Sequence, residues 1–174
     1  MEIIKTVEGL FSIVRLKPLR ETPGVTFDLI PGEINKQAGS VDRVIHHASA
    51  ISPGPVGDVE RPWYMHPQQA DNLAVFHGTR HVELYTPAHG KIETFIVTPE
   101  SILQNGTTAS AEPAMLIWPT HVFHRVRSYK EGSASVNFAI HHDGFDIKTN
   151  FNIYDVNTGT GEYSVLREGH LDQF

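Results

Sequence analysis

The sequence predicts an all-β chain: an antiparallel sandwich or barrel formed by a single domain. Three observations carry this expectation. Short apolar runs recur about every ten residues between 72 and 142, with turn residues between them. Several of these runs alternate apolar and polar residues, the period of a half-buried strand. No segment holds a long, well-capped helical period.

Residues 1–62 are dense in turn chemistry: "KPLRETPG", "IPGE", "QAGS" and "SPGPVGD". Gly and Pro at this density interrupt helices and favour short strands such as "VTFDLI" and "VDRVIHH". Residues 1–14 leave room for a short helix. From 72 the run "NLAVF" ends at His77-Gly78. "HVELY" follows, with Val82 and Leu84 on one face and His81, Glu83 and Tyr85 on the other. "PAHG" turns the chain into "IETFIVT", and Asn105-Gly106 is a tight-turn dipeptide. "AMLIW" stops at Pro119 and "HVFHRV" begins the next strand. In "SVNFAI", Val136, Phe138 and Ile140 share a face, so His142 is the inward member of the His141-His142 pair if that face lines the barrel. The tail reads as a hairpin around "NTGTGE", packed on the barrel or across a dimer contact. The expected division is a barrel core over about 58–142, N-terminal strands over 1–57 and a C-terminal extension over 143–174.

Composition removes several function classes. There is no Cys, which excludes thiolate catalysis and thiolate metal ligands. The net charge of −6 argues against a nucleic-acid surface, which needs clustered Lys and Arg. No apolar run approaches the roughly 20 residues of a membrane span. The N-terminal stretch lacks the pattern of a signal peptide, so a cytoplasmic location is expected. The 11 His stand out, because His and carboxylates are the transition-metal ligands that remain.

Two segments concentrate the chemistry. "WYMHPQQADNLAVFHG" carries His66, Gln68, Asp71 and Asn72 ahead of Gly78. "AEPAMLIWPTHVFHRVRS" carries Pro119, His121 and His124. If the two enter one barrel mouth as antiparallel segments, His66 and His124 come within a few ångströms of each other.

The pair of segments resembles the two motifs of the cupin superfamily, small antiparallel jelly-roll barrels. The second motif typically has Pro-x-Gly-x-x-His, which Pro119 and His124 match, with His121 in place of the Gly and Ser128 in place of the later Asn. The first motif typically has His-x-His, then Glu, then Gly. Counting back from Gly78 puts Asp71 at the Glu position and His66 at the second His, with Tyr64 at the first. Strand parity instead groups His66, Gln68 and Asn72. Both alternatives keep His66 and His124.

The resemblance implies a divalent ion (Zn, Fe, Ni or Mn) on His66 and His124, with Gln68 or Asp71 adding oxygen. It implies a metal-dependent enzyme acting on a small polar molecule, of oxygenase or isomerase/epimerase type, and a homodimer paired through edge strands. His124, Tyr64 and His121 are the candidate catalytic residues, His121 either as an acid or base at the mouth or as a turn residue in the left-handed conformation. The alternative is a metal-free cupin that binds a sugar or small acid without catalysis. The Arg-Gly-rich substrate signature of the superfamily's deoxysugar epimerases is absent near the first motif, which weighs against that subclass.

Overall fold

The structure, a computed structural model, describes residues 1–173. The strands are β1 (Glu2–Val7), β2 (Phe11–Arg15), β3 (Lys17–Thr22), β4 (Val25–Leu29), β5 (Ser40–His46), β6 (Ile51–Ser52), β7 (Trp63–Tyr64), β8 (Gln69–Tyr85), β9 (Glu93–Val97), β10 (Ile102–Gln104), β11 (Thr107–Ser110), β12 (Ala114–Trp118), β13 (Phe123–His141), β14 (Ile153–Val156) and β15 (Tyr163–Arg167). Two short helices join them, α1 (Gly32–Gln37) and α2 (Ile147–Asn150). The expected antiparallel jelly roll is what the chain forms, and every pairing between these strands is antiparallel.

Two long strands, β8 and β13, run side by side through the whole molecule and bend together. Their outer halves belong to different sheets. The first half of β8 lies between β12 and the second half of β13, and β1, β2 and β5 complete that sheet. The second half of β8 lies between β9 and the first half of β13, and β10, β11, β6, β7, β14 and β15 complete the other. The N-terminal strands β1, β2 and β5 are therefore integral to the barrel wall.

The bend is built from glycine. Gly78 sits at φ +68° and Gly132 at φ +72°, the left-handed region that side chains disfavour. A Cβ on Gly78 would overlap the Gly132 carbonyl oxygen, and one on Gly132 would lie 2.5 Å from the His46 carbonyl oxygen. Between Arg80↔Ser128 and Gly78↔Ser133 the β13 strand carries extra residues, and a second irregularity follows at Ala134/Ser135. Such bulges bend a strand and re-aim its side chains. The consequence is a change of parity. In β8 the buried inner residues are Asp71, Leu73 and Val75 before the corner, and Arg80, Val82 and Leu84 after it. In β13 they are His124, Val126 and Ser128, then Ser133, Ser135 and Ala139.

The main core lies between the sheets, with Phe11, Ile13, Leu73, Val82, Phe95 and Leu116 among its members. The two outer faces are also covered. Ile34 of α1 packs with Leu16, Ala74 and Met115, and Phe138 joins them from β13. The β14–β15 hairpin lays Tyr154 against Trp63, Met65, Tyr85 and Phe123.

Three expectations change here. Residues 1–14 form the β1–β2 hairpin rather than a helix, because Phe11, Ile13 and Val14 enter the sheet against β12. The Phe138 face of β13 packs outward under α1, so His142 is exposed and His141 is half-buried, stacked on Phe145 at 3.7 Å. The tail hairpin is present, and it joins β7 at the sheet edge.

Replacing Gly78 with Ala is expected to cost about 2–4 kcal/mol, since both backbone strain and an overlap must be relieved. Chemical denaturation measures it; a loss below about 1 kcal/mol would show that the corner does not constrain the fold as described.

Candidate functional site

One inner cavity of about 170 Å³ lies where the two sheets face each other. β8 contributes Gln69, Asp71 and Leu73, the alternate residues that point inward before the corner. β13 contributes His124 and Val126 from the opposite sheet. His66 comes from the connection between β7 and β8, outside the ladder. That connection is held to the turn after β12, where the His121 amide donates to the His66 carbonyl at 2.9 Å.

His66, Asp71 and His124 converge, each 6% exposed or less. His66 Nε2 lies 3.5 Å and His124 Nε2 4.0 Å from Asp71 Oδ2, and the imidazole centroids are 4.6 Å apart. One ligand atom from each lies within 4.8 Å of the others. The surroundings fix which atoms are free. His66 Nδ1 donates to the Asn150 carbonyl at 2.6 Å, and His124 Nδ1 to the Val122 carbonyl at 3.1 Å. In the neutral rings both Nε2 lone pairs therefore face the cavity. Asp71 Oδ1 accepts from Gln69 Nε2 at 2.7 Å and from Asn137 Nδ2 at 2.6 Å. Asp71 Oδ2 is buried and has no hydrogen-bond partner. Burial, with the neighbouring His66 adding to it, depresses the His124 pKa to about 4, against the opposing pull of Asp71. His124 is thus neutral at pH 7.

Aromatic rings close around this group. Tyr64 stands opposite His124 in the ladder, 5.9 Å from its ring and 6.2 Å from that of His66. Trp118 lies 5.2 Å from His124, and Phe151 4.9 Å from His66. Burial raises the Tyr64 pKa, so its phenol keeps its proton.

The other candidates lie elsewhere. Gln68 does not line the cavity; its backbone N–H donates to Asn150 Oδ1 at 3.3 Å and its backbone carbonyl accepts from the His142 N–H at 2.9 Å. Asn72 points to the far side of β8, where its side chain donates to the Phe138 carbonyl at 2.6 Å. The parity grouping of His66, Gln68 and Asn72 fails because His66 precedes the strand, so alternation does not extend back to it. His121 is exposed at φ +63° in the turn, with its side chain outside the cavity.

Five residues escaped the sequence reading. Gln69 and Asn137 clamp Asp71, and Asn150 ties His66 to Gln69 by donating to Gln69 Oε1 at 3.3 Å. Arg80 and His46 line the cavity's other end. Only the spacing of Asp71 from Gly78 offered a pointer to this inner face.

Burial, with the Arg80 charge adding to it, also depresses the His46 pKa to about 4. The folded value lies below the unfolded value of about 6.5. The resulting stabilisation is complete above about pH 6.5 and is lost as pH falls towards about 4. Urea denaturation at pH 7 and near pH 4.5 is expected to show wild type losing on the order of 2 kcal/mol more than His46→Gln. Equal losses would contradict a neutral, buried His46.

No family model and no curated protein sequence matches the chain. Solved structures do resemble it. QdtA, a sugar 3,4-ketoisomerase from Thermoanaerobacterium thermosaccharolyticum, aligns at TM-score 0.56 and 12% identity over 81% of this chain and 85% of its own. A dTDP sugar isomerase from Desulfovibrio desulfuricans G20 aligns at 0.56 and 17% identity over 83% and 84%. NovW, a 4-keto-6-deoxy sugar epimerase from Streptomyces spheroides, aligns at 0.58 and 10% identity over 84% and 70%. At these identities the likeness concerns the architecture alone: the chain shares the antiparallel jelly-roll fold of these proteins.

Proposed function

We propose that the chain is a cupin-type isomerase or epimerase of a small polar molecule, with one divalent ion held by His66, Asp71 and His124. The observation that carries this is the buried Asp71 Oδ2, left without a hydrogen-bond partner and facing two bare imidazole nitrogens. A buried carboxylate oxygen is costly unless something compensates it. The gaps of 3.5 and 4.0 Å are too long for good hydrogen bonds. Atoms that bind one ion at about 2.1 Å lie about 3.0–3.4 Å apart, so a group whose atoms lie up to 4.8 Å from one another draws inward to close on an ion. Two imidazoles and a carboxylate suit Zn, Fe, Ni or Mn. The outer shell is already in place, with backbone carbonyls on both Nδ1 atoms and two amides on Asp71.

A bound divalent ion supplies Lewis acidity towards a carbonyl or hydroxyl oxygen of the substrate. The chain supplies the rest. Tyr64 holds a proton at its hydroxyl, on the cavity wall beside both imidazoles. Trp118 and Phe151 exclude water from the His side of the site. The likeness to sugar isomerases and epimerases favours proton transfer as the reaction class. If the ion is Fe(II), the same donor set is that of oxygenases, and the identity of the metal separates the two. A second reading follows from the neutral His124, whose bare Nε2 is a competent base without any ion.

Plasma mass spectrometry on dialysed protein is expected to find about one divalent ion per chain, lost in His124→Ala and in Asp71→Asn and kept in Gln68→Ala. Asn137→Ala, which removes one of the two amides that hold Asp71 Oδ1, is expected to weaken metal binding about 10–100-fold. No metal in the parent after refilling with Fe, Zn, Ni or Mn would remove the ion. Small-ligand binding that survives chelation, with no turnover, would then point to the non-catalytic binding alternative.

We also propose a homodimer. The β3–β4 hairpin pairs only with itself among the described residues, and it exposes Leu19, Val25, Phe27 and Leu29. Light scattering at micromolar concentration is expected to give twice the chain mass of 19.4 kDa, and Phe27→Glu to lower it. A wild-type monomer contradicts the proposal.

A further inference from the structure

The end of the cavity away from the three metal-ligand candidates holds a guanidinium that no carboxylate pairs with among the described residues. Arg80 is the first inward residue of β8 after the corner, and it is 3% exposed. Its Nε donates to Ser133 Oγ at 3.1 Å and its Nη2 to the Val44 carbonyl at 3.2 Å. Both acceptors are neutral, and among the described residues no carboxylate lies within 4.0 Å of the guanidinium. Nη1 donates to nothing among those residues. The neighbouring titratable groups form no ion pair with it. His46 hydrogen-bonds Ser128 Oγ at 3.0 Å and carries no negative charge in either form. Asp42 lines the same cavity, but its oxygens take Ser40 Oγ at 2.9 Å and Asn137 Nδ2 at 3.4 Å.

A buried cation is normally paired or hydrogen-bonded on every face, because desolvation otherwise destabilises it by several kcal/mol. Of the five N–H donors of Arg80, two are matched within the fold, and Nη1 has no partner among the described residues, on the wall of a cavity. A guanidinium fork in that position matches a carboxylate in geometry as well as charge. Trp118, on the same cavity, leaves its indole Nε1 buried and unpaired.

We infer that Arg80 is an anion-binding subsite and that the ligand of this cavity is a small organic acid. Its carboxylate sits on Arg80, and its second polar end reaches the group formed by His66, Asp71 and His124. Arg80 pairs with Ser128, four residues along β13 from His124, so about 13 Å of strand separates the two backbone positions, and the side chains from both line one cavity. The volume fits. About 170 Å³ is below the roughly 300–1,000 Å³ of pockets that take drug-sized ligands, so a sugar nucleotide is not enclosed here, whereas a short-chain diacid is. Leu73 and Val126 line the stretch between the ends and suit a methylene chain. The inference takes the cavity of the proposed function as the ligand site, but it does not require the ion.

Isothermal titration with succinate and glutarate, their uncharged diamides and an Arg80→Gln variant tests it. Wild type is expected to bind a diacid at least tenfold more tightly than its diamide, and Arg80→Gln to lose that preference while keeping the metal content of wild type. Diacid binding unchanged in Arg80→Gln, diamides that bind as well as the acids, or no binding to wild type at millimolar ligand would each overturn it. If Arg80→Gln does not fold, Arg80→Lys keeps the charge without the fork and is expected to retain only part of the preference; the acid-against-diamide contrast on wild type decides independently. Metal analysis of the same samples separates the two proposals. Arg80-dependent acid binding by a metal-free protein removes the ion and leaves this subsite. Full metal content without acid binding does the reverse.

Discussion

The Asp71 carboxylate is 3% exposed, and its two oxygens live in different environments. Gln69 and Asn137 clamp one of them. The other faces two imidazoles at distances too long for hydrogen bonds and has no donor. A carboxylate removed from water needs compensation on both sides. The clamp also fixes its direction, since an oxygen held by two amides cannot turn to satisfy the second. The neighbouring parts of the site serve the same arrangement. The Asn150 and Val122 backbone carbonyls each accept a hydrogen bond from an Nδ1, which leaves Nε2 bare towards Asp71. Trp118 and Phe151 keep water off the rings. A cation shared by the three groups satisfies all of these atoms at once.

That arrangement depends on the bend in β8 and β13. Asp71 and His124 belong to opposite sheets and meet only because both strands turn the corner at Gly78 and Gly132. The parity change at the corner then places Arg80 inward at the far end of the same cavity, with Ser133 and His46 beside it. The cavity thus has two poles of different chemistry: donors of lone pairs near the mouth residues, and a guanidinium at the corner. A hydrophobic stretch with Leu73 and Val126 lies between them. Such polarity suits a ligand with two distinct ends and an apolar middle.

Much of this fold was legible in the sequence because its strands are short, regularly spaced and separated by Gly, Pro and Asn. The alternation in "HVELY" grouped Val82 and Leu84 on one face, and the structure makes that face the inner one, since the segment lies wholly after the corner. Parity misled in "SVNFAI", because β13 carries its irregularities just before that run and the apolar face there packs under α1 instead. In the site, His66, Asp71 and His124 could be picked from the glycine spacing and the second motif. Grouping Gln68 and Asn72 with His66 carried strand alternation back to residues 66 and 68, which precede β8. Gln69, Asn137 and Asn150 carry no local pattern, and their roles exist only once three separate segments are folded together. Arg80 was invisible for a related reason: in "GTRHVELY" an Arg next to a turn reads as exposed, and only the bulge turns it inward.

The most direct test of the central claim is anomalous diffraction from crystals of metal-loaded protein. The account predicts a single strong peak about 2.0–2.2 Å from His66 Nε2, His124 Nε2 and one oxygen of Asp71. A peak at another His–carboxylate pair, such as His89 with Glu93, or no peak in the cavity of loaded crystals, would contradict it.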